Sequence, residues 1–121
     1  MAKPVVARFE ITGRDSSALR RFYSDLFDWH IAEGARGSGF GVVPATKDGI
    51  SGVIGPDRSG GGGHVTFYVE VDDLTAYLSK AESLGGKSVV PPTEIEEFGL
   101  SFAFFADPEG HVIGLSNGVI R

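Results

Sequence analysis

In the stretch RDSSALRRFYSDLFDW the apolar residues Leu19, Phe22, Tyr23, Leu26 and Phe27 recur at i, i+3, i+4, i+7 and i+8. That spacing puts them on one face of a helix, and Asp15 or Ser16 supplies its N-cap. A second stripe runs through DDLTAYLSKAESLGGK, where Leu74, Tyr77, Leu78, Ala81 and Leu84 align. Asp72 or Asp73 can cap this helix, and Gly85-Gly86 can end it in the left-handed manner that glycine tolerates. Each stripe follows a β-branched and aromatic run, VVARFEIT and HVTFYVEV, and each run predicts a strand. Short β-like pieces come after each helix: WHIAE, GFGVVP and GISGVIG in the first half, KSVV, LSFAFFA and HVIGLS in the second. The order βαβββ therefore occurs twice, a duplication stronger in layout than in residue identity.

The pattern predicts an α+β fold in one domain over residues 1–121, with module one at 5–55 and module two at 64–117. Between them the connector PDRSGGGG, residues 56–63, offers nothing to anchor it and is expected to be flexible. Near the end, FADPEGHVIGLSN reads as a strand end, a tight turn and a further strand. Asp107, Pro108 and Gly110 stand where a type I turn prefers them.

Alternation assigns faces to the two leading strands. In HVTFYVEV, His64, Thr66, Tyr68 and Glu70 share one face, and Val65, Phe67, Val69 and Val71 the other. The apolar set is expected to pack on its helix, which leaves His64, Thr66 and Tyr68 on the side away from it. By the same argument Phe9 and Ile11 face the core, while Arg8 and Glu10 face away from it.

Composition narrows the function. A formal charge of −5 argues against nucleic acid, because Arg14, Arg20 and Arg21 are surrounded by Asp15, Asp25 and Asp28. No run of about 18 apolar residues is present to span a membrane, and MAKPVVARFE lacks the apolar centre of a signal peptide. The chain contains no cysteine, so disulfides, thiolate ligands and Cys nucleophiles are all ruled out. A cytoplasmic location is the expectation. GGKS at 85–88 follows a helix and precedes a strand, and GGGG at 60–63 leads into a strand. Neither presents a helix N-terminus to a phosphate.

With RRFYSDLFDW on the first helix and FADPEGHVIGL near the end, the doubled plan resembles the vicinal oxygen chelate superfamily over Val5 to Asn117. That superfamily includes glyoxalase I, bleomycin-resistance proteins, extradiol dioxygenases and methylmalonyl-CoA epimerase. The resemblance implies curled mixed sheets enclosing a cleft, usually in a homodimer, and in the enzymes a divalent metal held there by four side chains, mostly His, Glu and Gln.

Carried over by the family's spacing, three of the four ligand positions fall on Arg8, Thr66 and Gly114; the remaining one falls in GISGVIG, where Ser51 is the only polar side chain and Gly52 the best equivalent. Guanidinium has no acceptor to offer. Glycine has no side chain, and a lone Thr hydroxyl binds divalent ions poorly without carboxylate or imidazole partners. No metal and no other cofactor is expected. His64 and Glu10 together fall short of the three protein ligands usual for catalytic zinc. His111 and His30 offer no relay that the sequence reveals, and Trp29, Phe22, Phe102 and Phe104 read as core or cleft wall.

The reading is a protein of the glyoxalase and bleomycin-resistance type that binds a small organic molecule in the cleft, without metal. Arg8, Glu10, His64, Thr66 and Tyr68 are its candidate ligand-binding residues. An alternative is a metal-independent enzyme of the isomerase or lyase type, with Glu10 or His64 as general base and Arg8 as electrophilic partner. A metal-dependent lyase or dioxygenase with a rearranged site ranks last.

Overall fold

The computed structural model describes residues 4–34, 37–95 and 99–118. Its elements run β1 (Val5–Gly13), α1 (Ser16–Phe27), β2 (Ala32–Glu33), β3 (Gly41–Val43), β4 (Ser51–Pro56), β5 (Val65–Glu70), α2 (Leu74–Ser83), β6 (Lys87–Ile95), β7 (Leu100–Ala106) and β8 (Val112–Asn117). This is the α+β class with βαβββ repeated, as the hydrophobic pattern implied. None of the described helices is long and apolar enough to cross a membrane.

Both helices begin where a carboxylate can satisfy orphan amides. The Asp15 side chain accepts from the Ala18 amide and Asp73 from the Ala76 amide, each at 3.0 Å. Helix α2 ends as its sequence predicts. Gly85 takes φ of 100°, and the Gly85 and Gly86 amides donate back to the Glu82 and Ala81 carbonyls. Helix α1 instead ends on Asp28 at φ 56°, a left-handed position held by a residue with a side chain.

The chain divides into two compact units, one of residues 8–66 and the other of residues 67 onward with the leading end of β1. In the first unit β1 and β4 are parallel, while β2, β3 and β4 form an antiparallel run. Ile54 is fully buried, and Phe9, Tyr23 and Phe27 gather around Trp29 at ring-centroid distances of 4.9 to 6.3 Å. The second unit repeats the scheme, with β5 parallel to β8 and β8, β7 and β6 antiparallel. Leu74 and Leu78 of α2 close there on Val71, Ala103 and Leu115. Strand β6 is longer than the predicted KSVV and runs through Pro91 and Pro92. Its register slips twice, between Ser88 and Val90 and between Val90 and Thr93, the second across the two prolines, which have no amide for the ladder.

Three expectations need correction. The α1 stripe is not buried as a whole: Phe22, Leu26 and Phe27 are exposed, so Phe22 is not core, and no α1 residue is fully buried. The apolar alternation of β5 is not buried throughout: Val69 packs against the cluster of Val71, Leu74 and Leu78, while Val65 is 76% exposed. Finally, the connector does have an anchor.

That anchor is Asp57. One carboxylate oxygen accepts from the Ser59 hydroxyl at 2.6 Å and the Ser59 amide at 2.9 Å, and the other accepts from the Gly62 amide at 2.7 Å. Its own amide donates to the Gly13 carbonyl. The Ser59 hydroxyl, then the two amides, hold the Asp57 carboxyl down at about 2, against an ordinary 3.8. A carboxylate depressed in the folded state adds stability that is fully present above its unfolded pKa and lost as pH falls toward the folded one. The melting-temperature gap between the native chain and Asp57→Ala should therefore be constant above about pH 5 and close between pH 4 and 2. Thermal scans across that range check it, and a gap undiminished at pH 2 would remove Asp57 as the anchor.

Candidate functional site

Strand β1 carries charge at alternate positions, Arg8 and Glu10, and pleating sends both to one face. Across the parallel pairing with β4, Arg8 stands opposite Ser51 and Glu10 opposite Val53. His64, just before β5, is tied to the same strand by its backbone. It exchanges amide and carbonyl bonds with Thr12 at 2.9 and 3.2 Å, and its amide also meets the Thr12 hydroxyl at 3.0 Å. That pairing brings the imidazole onto Glu10: Nε2 lies 2.6 Å from Oε2, with the side chains 38% and 10% exposed.

Burial on this unit runs opposite to the usual rule. Arg8 is 5% exposed, Glu10 8% and Thr66 6%, whereas their strand neighbours Phe9, Ile11 and Val65 are all more accessible. Burying charge costs free energy unless it is paired and hydrogen-bonded. Each of Arg8, Glu10, His64 and Thr66 is engaged by partners. Arg8 therefore does not snorkel to solvent. The unit thus contains four of the five residues singled out from the sequence. Tyr68 belongs to the other unit, where it is buried beside Phe104 at 5.4 Å between ring centroids, with Phe102 5.9 Å beyond.

The four metal-ligand positions can now be placed. Gly52 lies opposite Phe9 in the β1–β4 register, so it sits on the face away from Arg8 and Glu10. The choice of Gly52 within GISGVIG therefore does not hold, and the β4 residues on the charged face are Ser51 and Val53. A Cβ at Gly52 would collide with the Phe9 ring. Gly114 pairs with Tyr68, and a Cβ there would run into the Tyr68 ring. Both glycines are occupied by aromatic packing, which a longer side chain would have to displace. Among the described residues, no three of His, Asp and Glu are grouped to hold a metal ion. One His–Glu pair with a guanidinium two residues along the strand does not fit a catalytic divalent site.

One pairing escaped the sequence reading. His111 Nδ1 lies 3.0 Å from Asp107 Oδ2 across the turn, and Asp107 also accepts from the Glu109 and His111 amides. The His111 amide, followed by its ring, holds the Asp107 carboxyl below its ordinary value. Both side chains are substantially exposed and no nucleophile accompanies them, so the pair shapes the turn. The i, i+4 spacing across a D-P-E-G turn was the signal that could have found it.

Comparison with known proteins bears on the whole chain. A Mycobacterium tuberculosis protein, CFP32, which carries a provisional glyoxylase name, is 32% identical over 107 residues, covering 84% of this chain. This chain spans only 41% of that relative's length. A glyoxylase-like domain-containing protein from Didymella fabae is 30% identical over 120 residues, with 88% of each chain covered. Among solved structures, a glyoxalase/bleomycin resistance protein/dioxygenase superfamily member from Vibrio splendidus superposes with a TM-score of 0.66 at 15% identity, over 95% of this chain and 99% of its own. A Streptomyces coelicolor methylmalonyl-CoA epimerase variant, in complex with 2-nitronate-propionyl-CoA, gives 0.63 at 16% identity, over 95% and 97%. At those identities the likeness is one of fold. The profile of the Glyoxalase/Bleomycin resistance protein/Dioxygenase superfamily matches residues 5–115, and to that superfamily this chain belongs.

Proposed function

We propose that this protein binds a small organic molecule bearing a carboxylate or enolate-like oxygen, using Arg8, Glu10, His64 and Thr66 and no resident metal. The observation that carries the reading is the burial of two opposite charges and a hydroxyl on strands whose apolar neighbours are more exposed. A fold seeking stability alone would bury Phe9 and Ile11 first. In this reading the Arg8 guanidinium supplies the fixed positive charge that a metal supplies in the family's enzymes, and it can grip two oxygens at once. Tyr68 is retained as a ligand-facing candidate of the second unit.

A thermal-shift screen over small organic acids and antibiotics tests the proposal, because a ligand of the native state raises the midpoint. For a carboxylate hit, Arg8→Lys should weaken binding by about 1–3 kcal/mol, the scale of hydrogen bonds to charged groups. Zinc, nickel and manganese should leave the midpoint unchanged. Stabilisation by one of these ions, abolished in His64→Ala, would overturn the metal-free reading.

A second reading has its own observation. The 2.6 Å Glu10–His64 contact is a carboxylate–imidazole pair of the kind that moves protons, and it supports metal-independent isomerase or lyase chemistry on the bound molecule. For assembly we propose a homodimer, supported by the exposed apolar row Phe22, Leu26 and Phe27 on α1. Sedimentation that gives only monomer at micromolar concentration would end that reading.

A further inference from the structure

The connector leaves β4 and comes back onto the same strand end that β4 pairs with. Pro56 stands opposite Gly13 in the β1–β4 register, and the next amide, Asp57, donates to the Gly13 carbonyl at 2.9 Å. At the far end of the loop His64 exchanges backbone bonds with Thr12, the residue before Gly13. Adjacent strand residues bond toward opposite edges, so the chain passes over the end of β1 as a strap. Asp57 gathers Ser59 and Gly62 inside it, giving a compact loop whose ends adjoin and which packs on its own side chain.

Gly63 lies flush on β1. Its φ is 106°, and a Cβ there would collide with the Thr12 carbonyl and come within 2.7 Å of the Gly13 Cα. Gly61 differs: a Cβ there would meet only the Ser59 hydroxyl oxygen, at 3.4 Å. Directly after Gly63, the His64 amide donates to the Thr12 carbonyl at 3.2 Å and to its hydroxyl at 3.0 Å. Glu10 precedes Thr12 by two residues and shares its face, and the His64 ring meets Glu10 there at 2.6 Å. The Asp57 carboxyl, held low chiefly by the Ser59 hydroxyl, also feels the His64 charge. Imidazole, carboxylate and strap are thus in one neighbourhood.

We propose that Gly63 and Asp57 are positioning residues for the Glu10–His64 pair: closure of the strap on β1 sets the imidazole on the carboxylate. This rests on the reading of that pair as one that moves protons, but its test reads the contact itself. Proton–nitrogen correlation spectra report the state of each imidazole separately, and His111, paired with Asp107 in the other unit, serves as internal control. Glu10→Gln in the native chain should shift the His64 signals and leave those of His111 in place. In a Gly63→Ala background the same change should shift them no further, and in Asp57→Ala only part of the response should remain. Gly61→Ala should leave the response whole. Should Gly63→Ala fail to fold, as lost His111 signals would show, the comparison of Asp57→Ala with Gly61→Ala decides. No His64 response in the native chain, a full response in Asp57→Ala, or an equal loss in Gly61→Ala would each overturn the proposal. These shifts without any proton exchange into a bound organic acid would remove the proton-moving reading and leave the strap standing.

Discussion

Gly114→Glu should cripple the fold instead of restoring a metal site. Family spacing assigns position 114 to the fourth ligand, and a glutamate there is the obvious attempt at reconstruction. The Tyr68 ring, however, already occupies the volume that a Cβ would need, and Tyr68 is itself buried against Phe104. Overpacking a filled site costs about 1–3 kcal/mol. A carboxyl buried without a partner adds its own cost, on the order of 1–3 kcal/mol for a neutral polar group and far more if it stays ionised. The sum is a large share of the 5–15 kcal/mol typical of a domain. Gly114→Ala should show the steric part alone. Gly114→Ala combined with Tyr68→Ala should lose less than the sum of the two single changes, because the clash needs both partners. Denaturant unfolding of the three variants measures this. A Gly114→Ala variant as stable as the native chain would mean that Tyr68 yields easily, and ligand reconstruction would become feasible.

Glu10→Gln should have the next largest effect, and it separates a working acid–base pair from a structural one. The substitution keeps size and removes charge from a side chain 10% exposed and 2.6 Å from His64. Loss of one charged hydrogen bond predicts destabilisation of about 1–3 kcal/mol, at the lower end because His64 is partly open to solvent. His64→Ala should cost less, and the double variant little more than Glu10→Gln alone, giving a coupling that identifies the pair. If the pair moves protons, solvent deuterium exchange into the carbon beside the carbonyl of a bound organic acid should fall by about 10²–10⁴ in Glu10→Gln. Exchange at the native rate alongside a clear stability loss would assign the pair to architecture.

Among the charged residues, Arg8 and Glu10 owe their candidacy to alternation, which is a local property of β1. Their being buried ahead of Phe9 and Ile11 is not local. It depends on what the folded chain lays against each face of the strand, which alternation does not specify. Val65 is another such case, apolar by composition yet 76% exposed. Gly52 illustrates a different gap. Whether it joins the charged face turns on one residue of register between β1 and β4, and a slip of one exchanges the faces of an entire strand.

What the sequence determined by itself was therefore the set of elements and their order. Periodicity, the caps at Asp15 and Asp73 and the glycine stop after α2 all act within a few residues of one another, so they are readable from spacing alone. What the tertiary structure decided was every relation across the chain. His64 meets Glu10 over a separation of 54 residues, Phe9 fills the space at Gly52 and Tyr68 the space at Gly114, and Asp57 ties down a loop that composition describes as free. Such contacts depend on distances between strands, and those distances are set only when pairing and packing bring distant segments together.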